Sequence, residues 1–293
     1  MKKLISTLSF FAILAGCLGT QAFAKDSDWT YLLDKDLSQW NTYLGFPNPE
    51  TDIKDLPKDA QGNYTQPIGY NKDEKGVFTV SMVDGTPILH VTGEIYGGLF
   101  TKNDYQNYHL SLQYKWGEKK WNPRKDLELD TGILYHVNGE HGTDYWKAWA
   151  LSQELQIIEQ GTGDWWQIVN SQIDVRCEER EGEEVPIYNP NAESISFGPG
   201  GAGNTCRRSH DMEKPKGEWN TVELITYGDK SLHIVNGEVV MALSNSRYPK
   251  DGKEIPLTKG AILLQSEAGE AFFKDIKLKS IQGIPKQYQA FFK

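Results

Sequence analysis

Hydrophobic and polar residues alternate in short runs along most of the chain, and turn residues separate these runs. His109–Trp116 carries apolar side chains at every second position, as a half-buried strand does. Val77–Met82 and Ile88–Val91 flank an Asp-Gly pair, the pattern of a β-hairpin. Further strands are predicted at Gly132–Val137, Leu151–Glu159, Trp165–Asn170, Thr221–Tyr227, Leu232–Val235, Val239–Leu243, Ala261–Ser266 and Ala271–Leu278. About a dozen strands at this spacing favour an all-β sandwich or jelly roll.

Two long segments interrupt the strand pattern. Residues 45–71 are rich in Pro, Gly, Asn and Asp and are interpreted as a surface loop, and residues 177–218 as a large insertion without a clear strand. The insertion contains Cys177 and Cys206. In an exported protein they would meet an oxidising compartment, so we predict that a Cys177–Cys206 disulfide closes the insertion, with two unpaired thiols as the alternative.

The N-terminus has the pattern of an export signal. Two lysines precede an apolar run, Leu4–Leu14, which is shorter than the roughly 20 residues that a membrane span needs. Removal of a signal peptide of residues 1–24 would release a single domain of residues 25–293. Removal of residues 1–16 at a lipobox would instead leave a lipid on Cys17. We predict a bacterial protein of the periplasm, or a lipoprotein attached to the outer membrane, without a transmembrane span.

Charge and composition exclude only some classes of binding partner. The formal net charge is −9, which repels phosphate backbones and argues against nucleic acid as a partner. Aromatic residues make up 12% of the chain, and such rings can stack on sugars, but a large sandwich core uses them as well. No phosphate loop, dinucleotide fingerprint or nucleophile elbow is present in the sequence.

The strand predicted at Leu151–Glu159 contains the largest group of candidate catalytic side chains. Glu154 and Gln156 point to one face of it, opposite the apolar face that would enter the core. A β-bulge after Gln156 would bring Glu159 back beside them. Two carboxyl groups and an amide would then share a cleft, in which split pKa values let one carboxyl act as acid and the other as base. An edge strand with solvated acids is the alternative.

His136 is the second candidate for catalysis. It is predicted on the neighbouring strand, on the same face as Leu134, where it could act as a general base. A metal site made of His136, His141 and Glu154 is the weaker alternative, because no tight ligand motif supports it. We therefore expect no metal among the site residues.

Several strands offer groups that could bind a substrate. Trp165 and Trp166 point to opposite faces, so we expect one ring in the core and the other beneath a sugar. Gln265 and Glu267 share a face and would complete the cleft. The predicted binding residues are Gln156, Trp166, Gln265, Lys115 and Tyr135.

Over nearly the whole part of the chain that follows the signal, the sequence resembles the 3-keto-disaccharide hydrolase family. The segments that carry the resemblance are Trp29–Trp40, Asp130–His136, Glu154–Ile157, Gly217–Asn220, Val235–Gly237, Ile262–Gln265 and Phe273–Leu278. Asp130 and Thr131 stand where the family usually has Asn-Ser, and His136 stands where many members carry Arg.

The resemblance implies a concanavalin-like jelly-roll sandwich of two antiparallel sheets with long loop insertions. It also implies cleavage of 3-keto-glycosides: a base removes the C2 proton, the C1 oxygen leaves by β-elimination, and water adds to the resulting glycal. On this basis His136 or Glu154 would be the base, Glu159 the acid, and Gln156 with Gln265 the donors to the enolate oxygen.

Other activities and requirements stay open at this point. An ordinary glycoside hydrolase acting on a glucan and a carbohydrate-binding protein without turnover are the alternatives. No cofactor is expected to be required, although a divalent cation could stabilise the enolate. The expected partner is an oligosaccharide or a 3-keto-glycoside.

Overall fold

The computed structural model describes residues 28–293 and contains 20 strands and one short 3-10 helix. In chain order these are β1 (Thr30–Tyr31), β2 (Trp40–Leu44), β3 (Gly69–Tyr70), β4 (Phe78–Val83), β5 (Thr86–Val91), β6 (Gly97–Thr101), β7 (Tyr108–Lys120), β8 (Asp130–Asn138), β9 (Leu151–Ile158), β10 (Trp165–Ile168), β11 (Gln172–Glu178), β12 (Ile187–Tyr188), β13 (Ser194–Phe197), β14 (Thr205–Cys206), β15 (Asn220–Tyr227), β16 (Lys230–Val235), β17 (Glu238–Lys250), β18 (Lys253–Pro256), β19 (Ala261–Ser266), β20 (Gly269–Ser280) and the helix Lys286–Phe292.

The strands form two sheets. The twelve-stranded sheet has the order β12-β11-β17-β16-β15-β7-β20-β5-β4, with β1 beside β20, β13 beside β11 and β18 beside β17. The eight-stranded sheet has the order β14-β10-β9-β8-β19-β6-β2-β3. The pairings within both sheets are antiparallel. The predicted all-β jelly-roll sandwich of two antiparallel sheets is thereby confirmed.

The main core lies between the two sheets. Leu110 and Leu112 of β7 belong to the same buried cluster as Leu155 and Ile157 of β9. Because successive side chains of a strand point to opposite faces, Glu154 and Gln156 lie on the face of the eight-stranded sheet that looks away from the core. The orientation predicted for this strand is therefore confirmed.

The insertion at residues 177–218 is more regular than predicted, because it contains β12, β13 and β14. The predicted disulfide is wrong: Cys177 and Cys206 are free thiols. They lie on strands of different sheets and are buried in a second apolar cluster with Trp165 and Phe197. There a reduced cysteine packs as a small hydrophobic residue.

The C-terminal segment covers part of the outer face of the twelve-stranded sheet. Tyr288, Phe291 and Phe292 of the 3-10 helix pack against the second apolar cluster. Within residues 28–293, no helix is both long enough and apolar enough to cross a membrane. The predicted signal peptide, its two cleavage sites and Cys17 lie outside the described residues.

Candidate active site

A cleft of about 910 Å³ opens on the face of the eight-stranded sheet that looks away from the core. Its floor is built by β8, β9, β10 and β19, and loops after β7 and β8 form its walls. Polar side chains from four of these elements meet there: Asp130, Glu154, Gln156, Gln265 and Arg124, with Glu267 just after β19. The predicted site residues Glu154, Gln156, Gln265 and Trp166 all line this cleft.

Glu159 does not reach this cleft. The pairing of β9 with β8 runs without a register shift from Gln153 to Ile158, so there is no bulge after Gln156. Glu159 accepts a hydrogen bond from the Leu129 amide (2.9 Å) and lies 3.5 Å from Lys120 and 3.8 Å from Lys216. The prediction that Glu159 stands beside Glu154 is therefore wrong, and Glu159 belongs to a different surface.

His136 also lies outside the cleft. The register of β8 shifts between Tyr135 and Asn138, and His136 has a positive φ of 56° at this bulge. The bulge turns the imidazole into the space between the sheets, with its centroid 5.2 Å from the Tyr135 ring and 6.2 Å from the Tyr108 ring. Burial lowers the pKa of His136 to about 4, so the ring stays neutral.

Tyr135 and Lys115, predicted to bind substrate, are also placed elsewhere. Tyr135 lies in the core, and its hydroxyl is 2.9 Å from Ser231 Oγ of the opposite sheet. Lys115 lies on the outer face of the twelve-stranded sheet, with its ammonium 5.2 Å from the Trp219 ring centroid. Neither side chain can touch a ligand in the cleft.

The metal alternative finds no support in the described part of the chain. His141 stacks on Tyr43 in a loop region, while His136 lies between the sheets. Among residues 28–293, no group of three or more His, Cys, Asp or Glu side chains is placed to hold a metal ion. The trio of His136, His141 and Glu154 is thus not brought together.

Three buried carboxyl groups share the floor of the cleft with one guanidinium. Arg124 Nη2 lies 2.9 Å from Asp130 Oδ2. Burial raises the pKa of Asp130 to about 7, although the charge of Arg124 acts in the opposite direction. Burial, followed by the charge of Asp130, raises the pKa of Glu154 and of Glu267 well above the usual range. Desolvation and mutual repulsion therefore keep protons on this cluster at neutral pH.

Gly132 makes room for the centre of the site. It lies on β8 opposite Gln156, and a Cβ added there would come within 2.1 Å of Gln265 Oε1 and 2.7 Å of Glu154 Oε1. Both oxygens thus occupy the space above this glycine. Any side chain at position 132 would displace the carboxyl of Glu154 or the amide of Gln265.

Several buried polar atoms in the cleft have no hydrogen-bond partner within the protein. They are Arg124 Nε, Asp130 Oδ1, Gln156 Oε1 and both amide atoms of Gln265. Buried polar groups in folded proteins are nearly always paired, so unpaired ones that face an open cleft indicate a place where a polar ligand can supply the missing bonds.

The other end of the cleft is aromatic. Trp146 and Trp166, which are 50% and 37% exposed, both line it, and they are the two exposed tryptophans among the described residues. Trp165 is fully buried, and its indole NH donates to Gln153 Oε1 (2.7 Å). The expectation that one ring of this pair is core and the other lies in the cleft agrees with this geometry.

The sequence analysis missed three residues of the site: Asp130, Arg124 and Gly132. Asp130 and Gly132 stand at alternate positions of a strand already singled out for His136, so the alternation rule could have found them. Arg124 comes from an irregular loop, and nothing in the local pattern places it against Asp130.

The profile of the 3-keto-alpha-glucoside-1,2-lyase-like domain matches residues 28–279. A comparison with curated protein sequences finds no match.

Among solved structures, two proteins of Parabacteroides distasonis, assigned only provisionally as glycosyl hydrolases, share 16% and 19% identity with this chain. The first alignment covers 88% of this chain and 96% of the other, with a TM-score of 0.49. The second covers 86% and 99%, with a TM-score of 0.44. A β-glucanase of Bacillus licheniformis aligns with 10% identity over 87% and 97%, with a TM-score of 0.38.

The profile match spans the strands of both sheets and every carboxyl group of the cleft. It places the chain among carbohydrate-active proteins. The chain therefore belongs to the 3-keto-alpha-glucoside-1,2-lyase-like domain family.

Proposed function

We propose that this protein is an enzyme that cleaves 3-keto-glucosides by elimination across C1 and C2, followed by addition of water. The observation that carries the proposal is the cluster of Asp130, Glu154 and Glu267 around Arg124, on the floor of an open cleft. Such a cluster holds both a proton donor and a proton acceptor near neutral pH, which an elimination requires. Family membership supports the same chemistry.

Asp130 is the base in this proposal. Its Oδ2 pairs with Arg124, which favours the ionised form and makes Asp130 the first of the three carboxyls to lose its proton. Its Oδ1 has no partner and is available to a substrate. The C3 carbonyl acidifies the C2 proton of the sugar, because the electron pair left on C2 delocalises into that carbonyl. Asp130 takes this proton and an enolate forms.

The enolate oxygen needs hydrogen-bond donors that are already in place. Gln265 Nε2 is a buried donor without a partner, and the amide of Gln156 lines the same floor. Preorganised donors in a water-poor site typically contribute a factor of about 10² to 10³ in rate. The roles predicted for Gln156 and Gln265 are kept in this mechanism.

Glu154 is the acid in this proposal. No lysine or arginine among the described residues pairs with it, and its pKa is raised, so it carries a proton at neutral pH. When the enolate collapses, the C1–O bond breaks with its electron pair, and Glu154 donates its proton to the departing oxygen. Water then adds to the new C1–C2 double bond: its hydroxyl bonds to C1, its other proton goes to Glu154, and Asp130 returns its proton to C2. This completes a net hydrolysis and restores the starting protonation of both carboxyls.

The test compares a methyl glucoside with its 3-keto analogue, each incubated with the purified protein, with and without a chelator. We expect turnover of the keto sugar, and a loss of about 10³-fold or more in kcat for Glu154→Gln. Glu159→Gln is the matched control: the same chemical change, made outside the cleft, should leave kcat within about twofold.

Four outcomes would contradict the proposal or one of the roles it assigns. Turnover of the plain glucoside alone would indicate an ordinary glycoside hydrolase. Binding of both sugars without turnover would indicate a carbohydrate-binding protein. Equal rates for Glu154→Gln and the wild type would remove Glu154 from the mechanism. Loss of turnover with the chelator, restored by added cation, would assign the stabilisation of the enolate to a metal ion instead of the two amides.

A further inference from the structure

A row of lysines lies on the outer face of the twelve-stranded sheet, on the side of the molecule opposite the cleft. Because Leu110, Leu112 and Tyr114 of β7 enter the core, the alternate positions of β7 and of its partner β20 point outward. Four lysines follow these two strands and are named here the basic stripe: Lys115, Lys274, Lys277 and Lys279.

The lysines of the basic stripe gather in pairs over tryptophan rings. Lys115 and Lys274 lie 5.2 and 4.4 Å from the Trp219 ring centroid. Lys277 and Lys279 lie 4.9 and 4.5 Å from the Trp29 ring centroid. Each indole therefore has two ammonium groups beside it, and these two like charges repel each other unless an anion lies nearby.

Carboxylates among the described residues do not supply that anion. Among residues 28–293, none of the four lysines forms an ion pair. Two glutamates on strands of this sheet are engaged elsewhere: Glu223 binds His109 (2.6 Å) and Glu270 binds His90 (2.9 Å). A chain with a net charge of −9 thus keeps a local surface of unpaired positive charge.

We propose that the basic stripe docks the protein onto an anionic lipid surface. Lysine ammonium groups over indole rings combine two residue types that are typical of protein segments at a membrane interface. Trp29, the second of the described residues, also lies on this face. Cys17, the predicted lipid attachment point, lies within about 40 Å of extended chain from Trp29.

Docking through this face leaves the cleft accessible. The stripe lies on the twelve-stranded sheet and the cleft on the eight-stranded sheet, so the two surfaces look in opposite directions. The protein would be held at the lipid surface with its cleft toward the surrounding solution. This inference does not depend on the reaction proposed above.

The experiment is sedimentation of the purified protein with vesicles of neutral phosphatidylcholine, or of phosphatidylcholine with one third phosphatidylglycerol. We expect binding to the anionic vesicles only, and release as salt is raised. A lysine near an anionic surface contributes a factor of about 5 in partitioning, so Lys277→Gln with Lys279→Gln should weaken binding roughly 25-fold. Arginine at both positions should restore it.

The matched control replaces Lys58 and Lys147 by glutamine, since these lysines also lie over aromatic rings, Tyr64 and Phe46, but outside the stripe. It should bind vesicles as the wild type does. Equal loss in the control, equal binding to neutral vesicles, or no binding at all would overturn the proposal. Binding to a sulfated polysaccharide but not to vesicles would also overturn it. An unchanged thermal transition shows that each variant is folded.

Discussion

Two clusters of buried polar residues lie on opposite sides of the same strand, β8, and they differ in which groups have hydrogen-bond partners within the protein. Between the sheets, the Tyr135 hydroxyl contacts Ser231, and His233 Nδ1 lies 2.9 Å from the Gly163 carbonyl oxygen. In the cleft, Asp130 Oδ1 and both amide atoms of Gln265 are unpaired. Tyr135 and His233 are thus paired within the protein, although both ring nitrogens of the neighbouring His136 are not, whereas the unpaired atoms of the cleft face a space that a ligand can enter.

The two clusters also respond to burial in opposite directions. Burial lowers the pKa of His136 and of His233 to about 4, so both rings are neutral over the whole physiological range. Burial raises the pKa of Asp130 to about 7. Desolvation therefore keeps the two interior imidazoles neutral. It also brings the pKa of Asp130 close to neutral pH, where this carboxyl can exchange protons.

The largest effect is expected for Asp130→Asn. The amide cannot accept the C2 proton, so kcat for a 3-keto-glucoside should fall about 10³-fold. The free energy of unfolding should fall as well, because Arg124 loses its charged partner. Steady-state kinetics well below the unfolding transition, together with urea unfolding, measure both quantities. Activity near that of the wild type in the folded variant would remove Asp130 from the mechanism.

A smaller loss of activity is expected for Gly132→Ala. The new methyl group would displace the Glu154 carboxyl or the Gln265 amide, and a misplacement of about 1 Å typically costs about 10²-fold in rate. Gly283→Ala is a control for the loss of a glycine, because a Cβ there meets no atom within 4 Å and the backbone is not in the left-handed region. Unchanged kinetics for Gly132→Ala would show that the site tolerates the shift.

Tyr135→Phe should have the opposite profile. Loss of the hydroxyl leaves Ser231 without this partner in the core, so the variant should be about 1–3 kcal/mol less stable, with kcat within about twofold of the wild type. Urea unfolding and kinetics well below the transition test this. A fall in kcat without loss of stability would mean that the interior cluster takes part in catalysis.

The smallest effect is expected in the pH dependence of stability. The pKa of Glu154 is higher in the folded state than in the unfolded chain, so its contribution to stability is present below about pH 4 and is lost as the pH rises toward the folded value. Glu154→Gln removes this loss. In urea unfolding the variant should match the wild type near pH 4 and exceed it increasingly as the pH rises toward the folded pKa of Glu154, and a constant difference between the two at all pH values would contradict the prediction.

Part of the site was predictable because alternation is a local property. The apolar residues Leu155 and Ile157 point into the core, and this alone places Glu154 and Gln156 on the open face. The same rule failed for His136 and Glu159, each in a different way. For His136, the prediction assumed a regular strand, but the structure has a bulge there. For Glu159, the prediction assumed a bulge after Gln156, but the pairing there is regular.

Bulges depend on neighbouring strands and not on the residues that form them. At His136 the backbone of β8 meets Gly260, where an added Cβ would lie 2.5 Å from the His136 carbonyl carbon and 2.4 Å from the Val137 oxygen. Only a glycine, more than a hundred positions away in the chain, permits this close approach.

By itself the sequence determined the two-sheet architecture, the faces of its regular strands and the family, because apolar alternation and short motifs are written into contiguous residues. Only the tertiary structure decided that His136 lies inside, that Glu159 belongs to another surface, that Cys177 and Cys206 pack as free thiols, and that Arg124 meets Asp130. These outcomes depend on contacts between segments that are far apart in the chain. Each outcome is decided by how closely two backbone segments can pack and by the free-energy cost of desolvating the polar groups between them.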